Sequence, residues 1–237
     1  MKNKSLLITF ALLSNSPLFA DEAPTGFLDV SSNTVLAGTH VDLNWKINLP
    51  ATSIEELIDF DNEERQIIPR EDVIAEVRVL GAAMGPANNP LYGEAEMNAG
   101  GTGFINIFAA FADGINAGDN FTYPIAAGES LDFIFKTWNG SSPNRPRENW
   151  GSLRTPVTTG NFDPRLFILQ DGDTVPIKTA AFDQEAAEAF VAPYLEEDGI
   201  TLKLGPNDLI LFAELNETVN NISDFQDFVV LINFTRP

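Results

Sequence analysis

Residues 39–47 alternate without a fault: Val41, Leu43, Trp45 and Ile47 share one face, and His40, Asp42, Asn44 and Lys46 share the other. A period of two belongs to a strand with one side buried, and Gly38 and Pro50 punctuate its ends. The same alternation predicts strands over 73–80, with Val73, Ala75, Val77 and Val79 on one face, and over 130–138, with Leu131, Phe133 and Phe135 inward. Over 227–234 it places Phe228, Val230, Ile232 and Phe234 together. Residues 104–111 are apolar on both faces apart from Asn106, which suits a strand covered on both sides. Asp171-Gly172 between 165–170 and 173–178 predicts a hairpin, and residues 205–208 between 200–204 and 209–215 predict a second.

A helical period appears over 183–195, where Ala186, Ala187, Phe190, Val191 and Tyr194 form one stripe. Asp183 can cap that helix, and Pro193 and Gly199 close it. Ser53 followed by Glu56 has the capping-box spacing and predicts one further helical turn. Residues 81–103 and 139–164 show little period and many Gly, Asn and Pro, so both are read as loops. The elements add up to an all-β fold: an antiparallel β-sandwich, Ig-like or jelly-roll-like, with one short α-helix near 183–195. Its core is expected to hold Leu43, Trp45, Val77, Phe133, Phe135, Phe190, Val230 and Ile232.

The first twenty residues follow another logic. Lys2 and Lys4 precede the apolar run from Leu6 to Leu13, and Ala20 offers a small residue for cleavage. This is the pattern of a bacterial secretory signal, so residues 1–20 are expected to be a signal peptide. Residues 21–237 then form a single β-sandwich domain, secreted or periplasmic, and no segment is long enough for a transmembrane helix.

Composition narrows the chemistry. The 237 residues carry 34 acids against 14 bases, a net charge of −20, and loss of Lys2 and Lys4 would make it −22. So negative a chain repels phosphate backbones, and nucleic acid is not an expected partner. With no cysteine and one histidine, disulfides, thiolate zinc sites, thiol nucleophiles and HExxH centres are excluded. No phosphate-cradling glycine motif and no GxSxG elbow occurs, so His40 beside Asp42 lacks the rest of a triad.

Several segments together resemble a family of uncharacterised exported β-rich proteins of marine bacteria: IIPREDVIAEVRVLGA, APYLEEDGITLKLGP, and DLILFAEL followed by DFQDFVVLINF. The opening NTVLAGTHVDLNWKI is also similar to the first strands of bacterial Ig-like domains. The resemblance implies a β-rich fold and export. It assigns no activity and no functional residue.

Three constellations remain as candidate sites. Four of the eight arginines, Arg145, Arg147, Arg154 and Arg165, lie in or beside the 139–164 loop, bracketed by Trp138 and Trp150. Guanidinium forks match carboxylate or sulfate, and indole faces stack on sugar rings. Trp138, Arg145, Arg147, Trp150 and Arg154 are therefore the candidate ligand-binding residues. Glu196, Glu197 and Asp198 stand at the predicted C-terminus of the helix, where acids oppose its dipole, and a calcium ion would relieve that conflict. Asp59, Asp61 and Glu63 begin like an EF-hand loop, but Glu64 and Arg70 stand where it needs glycine and glutamate. Glu94, Glu96, Asp132 and Glu148 are carboxylates near aromatics that a glycosidase could use. The expected role is a non-enzymatic exported protein binding a surface, a matrix or a partner chain. An acidic polysaccharide or another protein chain, including a second copy, is the expected partner. The alternative is a carbohydrate-active enzyme using two loop carboxylates.

Overall fold

A computed structural model describes residues 25–30, 43–48, 53–61, 65–85, 89–111, 113–115, 120–176, 187–215, 225 and 227–237. The chain divides into two compact units, Met1–Ala51 and Thr52–Pro237. In the first, β1 (Thr25–Val30) and β2 (Leu43–Asn48) form an antiparallel pair with Leu28 opposite Trp45. The alternation read over 39–47 thus gives a strand from residue 43. His40 and the core assignments of the Leu43 and Trp45 side chains lie outside what is described.

The second unit is all-β and antiparallel, its sheets packed together with one short helix on the outside. One turn of helix, α1 (Ile54–Leu57), leads into a hairpin of β3 (Ile58–Asp61) and β4 (Gln66–Pro69). Ser53 does stand at the N-cap of α1, but its side chain makes no capping hydrogen bond. A four-stranded sheet follows the order β11 (Val157–Thr158), β10 (Leu131–Thr137), β6 (Tyr92–Ala99), β7 (Ile105–Phe111). The larger sheet runs β12 (Leu166–Leu169), β13 (Asp208–Ala213), β14 (Phe228–Thr235), β5 (Val73–Ala83), β8 (Asp113–Ile115), with β9 (Asn120–Ile125) also on β5.

The sandwich core lies between these sheets. Val77, Val230 and Ile232 from one side and Phe133 and Phe135 from the other are fully buried, as the alternation predicts. Phe190 is buried too, but in a second cluster on the outer face of the six-stranded sheet. There α2 (Ala187–Val191), extended by a 3₁₀ turn over Ala192–Tyr194, covers Leu80, Ile210, Phe212 and Val229. This cover explains why β13 and β14 are apolar on both faces, and why β5 alternates over 73–78 but is buried throughout 79–83. Gly81 makes the docking possible: a β-carbon there would lie 2.5 Å from the Phe190 ring.

Four readings are corrected. Residues 92–99, taken as loop, form β6, whose buried face is Gly93, Ala95, Met97 and Ala99. Among the described strands β7 is the last of its sheet, and it is not covered on both faces, since Asn106 and Ala109 are exposed; a bulge leaves Ile107 without an opposite residue, so that Ile107 and Phe108 are both buried. The Asp171-Gly172 turn forms, with Gly172 at φ 81°, but β12 pairs with β13, while Thr174 pairs with Thr201. Residues 200–204 accordingly do not form a hairpin with β13, whose partners are β12 and β14.

Candidate functional site

The 139–164 segment is ordered by its own hydrogen bonds. Trp138 pairs with Leu153, the Asn139 amide donates to Ser152 O at 3.0 Å, and the Arg154 amide donates to Thr137 O at 3.0 Å. The loop thus leaves and re-enters at the end of β10. Buried Ser141 ties it to the sheet by accepting from the Tyr92 amide at 2.9 Å and donating to Trp138 O at 3.0 Å. Proline at position 146 precedes a 3₁₀ turn, Arg147–Asn149. The Trp150 indole N–H donates to Arg145 O at 2.9 Å and closes that turn.

This frame gathers four aromatic rings. Tyr92 lies 4.9 Å from Trp150, 5.3 Å from Phe111 and 5.7 Å from Trp138, centroid to centroid, and Phe111 is 5.6 Å from Trp150. The Arg147 guanidinium sits 5.2 Å from the Trp138 ring and 5.6 Å from the rings of both Tyr92 and Trp150. Its Nη2 donates to Glu94 Oε1 at 3.2 Å; the Arg147 side chain stays 62% exposed, while that of Glu94 is 13% exposed. Burial, and after it the Glu94 charge, raises the Tyr92 hydroxyl pKa, with Arg147 acting the other way.

The remaining candidates take different places. Arg145 is exposed and donates from Nη1 to Gly140 O at 3.2 Å. Arg154 is half-buried and donates from Nε to Asn139 Oδ1 at 2.9 Å. Arg165 does not belong to the surface: it is 7% exposed and forks onto Asp163 at 3.0 and 2.7 Å. Among residues 138–162 three arginines and one glutamate leave a local charge of +2 on a chain of −20.

The carboxylates Glu94 and Glu96 fall on the outward face of β6, and Asp132 joins them from β10. Lys136, opposite Glu94, reaches diagonally to Glu96 at 2.5 Å. Asp132 accepts from Ser130 Oγ at 2.6 Å. Glu148 is exposed on the 3₁₀ turn.

Glu196, Glu197 and Asp198 follow the 3₁₀ turn as expected but serve a turn of their own. Asp198 accepts from the Ile200 and Thr201 amides, both at 2.9 Å, and from Thr201 Oγ1 at 2.6 Å. Those bonds, the hydroxyl's first, hold its pKa below the usual aspartate value. Glu196 lies 3.3 Å from Lys203 Nζ. Among the described residues, no group of three or more His, Cys, Asp or Glu side chains is arranged to hold a metal ion.

The rings of Tyr92 and Phe111, and Glu94 as the partner of Arg147, are the members of the site that the sequence pattern does not attach to the loop. The available signal was the alternation of Tyr92, Glu94, Glu96 and Asn98 against Gly93, Ala95, Met97 and Ala99. Three of its four inward residues are glycine or alanine, which carry little strand signal. Comparison of the chain with protein-family models, curated proteins and solved structures found no match.

Proposed function

We propose that this chain is an exported, non-enzymatic binding protein whose contact surface is the Arg147 loop, and that it takes acidic groups such as those of a uronic or sulfated polysaccharide. One observation carries the reading: a guanidinium held over three rings and by Glu94, yet with most of its surface open to water. A cation fixed in this way loses little rotamer freedom on meeting a carboxylate or sulfate, and its fork matches either group. Arg145 and Arg154 add positive charge to the same loop, on a chain that elsewhere repels anions.

The test is retention on an immobilised polyuronate against neutral dextran. Wild type should bind the former, and binding should weaken from 0.1 to 1 M salt as the Debye length falls from about 10 Å to about 3 Å. Replacing Arg145, Arg147 and Arg154 together by alanine should remove binding and leave the circular dichroism spectrum unchanged. Equal retention of the triple variant would end the proposal.

The enzyme reading has one observation in its favour, the placement of Glu94 and Glu96 two residues apart on one sheet face beside aromatics. Each, however, is engaged by a cation, Arg147 or Lys136. A glycosidase of two carboxyls needs one of them to deliver a proton, and the binding reading accounts for both as anchors of cations.

A further inference from the structure

A strand at the edge of a sheet presents backbone N–H and C=O groups that another extended chain can pair with. The described edges differ in how well they would accept one. β8 has three residues, β11 two and β12 four, and β9 carries Pro124. Shortness and proline are common ways of making an edge a poor template. β7 has neither. It runs seven residues without proline or charge, and among the described strands it is paired on one side only, by β6. No ionisable side chain occurs from Met97 to Ala112, in a chain of which 20% is charged. Phe104, just before the strand, is 44% exposed, and Asn106 and Ala109 are exposed on it. The bulge at Ile107 bends the first part of the strand and leaves 108–111 as the regular run.

We propose that the β7 edge pairs antiparallel with the β7 edge of a second copy, joining two four-stranded sheets into one of eight strands. Charge selects this occupant. At a net charge of −20, two copies repel wherever acids face acids, and like charges opposite one another destabilise a ladder. A two-fold axis between the two β7 edges sets one uncharged run against the other and leaves Glu94 and Glu96, on β6 opposite Ala109 and Asn106, one strand back from the seam. A charged peptide finds no complementary charge on this strand. The contact is isologous and closes at the dimer.

The chain has no cysteine, so one introduced thiol reports one position. Ala109→Cys lies near the centre of the regular run, and Asn144→Cys, on the exposed arginine loop, is the control. Under mild oxidation Ala109→Cys should give a disulfide-linked dimer and Asn144→Cys should not. In sedimentation velocity the wild-type dimer fraction should rise from 0.1 to 1 M salt, as screening shortens the repulsion from about 10 Å to about 3 Å. Ala109→Lys should abolish the dimer with an unchanged melting curve; if that variant does not fold, Asn106→Lys takes its place. A chain that stays monomeric at every salt concentration overturns the proposal, as does equal crosslinking at positions 109 and 144. Strong protection from hydrogen exchange, in a monomer, of those 108–111 amides that point away from β6 would show that another part of the chain covers this edge, and would overturn it too. Failure here is separable from failure of the binding proposal, because polysaccharide retention falls with salt and depends on arginines that lie off β7.

Discussion

Replacing Arg165 with alanine is expected to destabilise the fold by about 3–5 kcal/mol, the range for removing one partner of a buried ion pair. The Arg165 side chain is 9% exposed. It donates through Nε and Nη2 to the two oxygens of Asp163, at 3.0 and 2.7 Å, and through Nη1 and Nη2 to Thr155 O and Pro156 O, at 3.1 and 3.2 Å. Two bonds therefore hold the carboxylate, and two hold consecutive carbonyls where the arginine loop returns to β11. Alanine deletes all four. Lysine keeps the charge and loses the fork, so Arg165→Lys should fall between wild type and Arg165→Ala. With a urea slope of about 1–3 kcal/mol/M, the alanine variant should unfold at a midpoint lower by about 2 M, followed by tryptophan fluorescence.

The same pair gives a pH signature. Burial acts to raise the Asp163 pKa, but the Arg165 side-chain and backbone hydrogen bonds, with the charges of Arg165 and Arg65, outweigh it and hold the pKa below the ordinary 3.8. A carboxylate with a depressed folded pKa contributes stability that is complete above its unfolded pKa and is lost as pH falls through its folded value. The gap between wild type and Arg165→Ala should therefore be widest above pH 3.8 and narrow in more acid solution. An unchanged midpoint at pH 7, or a gap constant down to pH 2, would refute the reasoning.

Two further outcomes follow from the packing and from the 196–201 turn. Gly81→Ala places a methyl group 2.5 Å from the Phe190 ring and should cost about 1–3 kcal/mol in thermal unfolding. Added to Phe190→Ala, it should cost clearly less than it does alone, because the ring it meets is gone; additive losses would show that α2 does not rest on Gly81. The Asp198 turn should loosen below pH 3.8, since the pKa is depressed and its three hydrogen bonds require the carboxylate. Amide exchange at Ile200 and Thr201 would report this, and exchange independent of pH after correction for the intrinsic rate would contradict it. Because Asp198 caps that turn and Glu196 pairs with Lys203, the melting temperature should be the same in millimolar calcium and in chelator; a rise with calcium would restore a cation to the loop.

The strands readable from sequence are those in which alternation is carried by large side chains against polar ones, such as Val77 and Val79 in β5 or Phe133 and Phe135 in β10. β6 has the same period, yet its inward positions are Gly93, Ala95, Met97 and Ala99. The sheet needs small residues there: a β-carbon at Gly93 would meet Met84 and Phe228. What makes β6 fit its neighbours is what makes it resemble a loop. Strand partners failed for a related reason. A turn signal such as Asp171-Gly172 fixes the local bend, but whether the next residues fold back on β12 depends on what else can cover the edge of β13. Here β12 itself pairs with β13, and 174–176 continue past it towards 201.

The arginine loop sharpens the point. Composition treats Arg145, Arg147, Arg154 and Arg165 alike, because each is a cation near a tryptophan or a proline. Their surroundings separate them. Arg165 is enclosed by Asp163 and two carbonyls, Arg154 and Arg145 bond to polar groups of the loop itself, and Arg147 lies over three aromatic rings. The distinction turns on Tyr92, which lies forty-six residues before Trp138 in sequence and opposite Phe111 on β7. Only the register of β6 between β10 and β7 brings Tyr92, Phe111 and Trp138 to one end of the sheet. Arg147 can be held rigidly and still face water because the strand beneath it places Tyr92 and Glu94 two residues apart, a ring for its face and a carboxylate for its edge. A loop of the same composition over a differently registered sheet would keep its positive charge and lose its fixed guanidinium, which is the feature on which the proposed recognition of acidic groups rests.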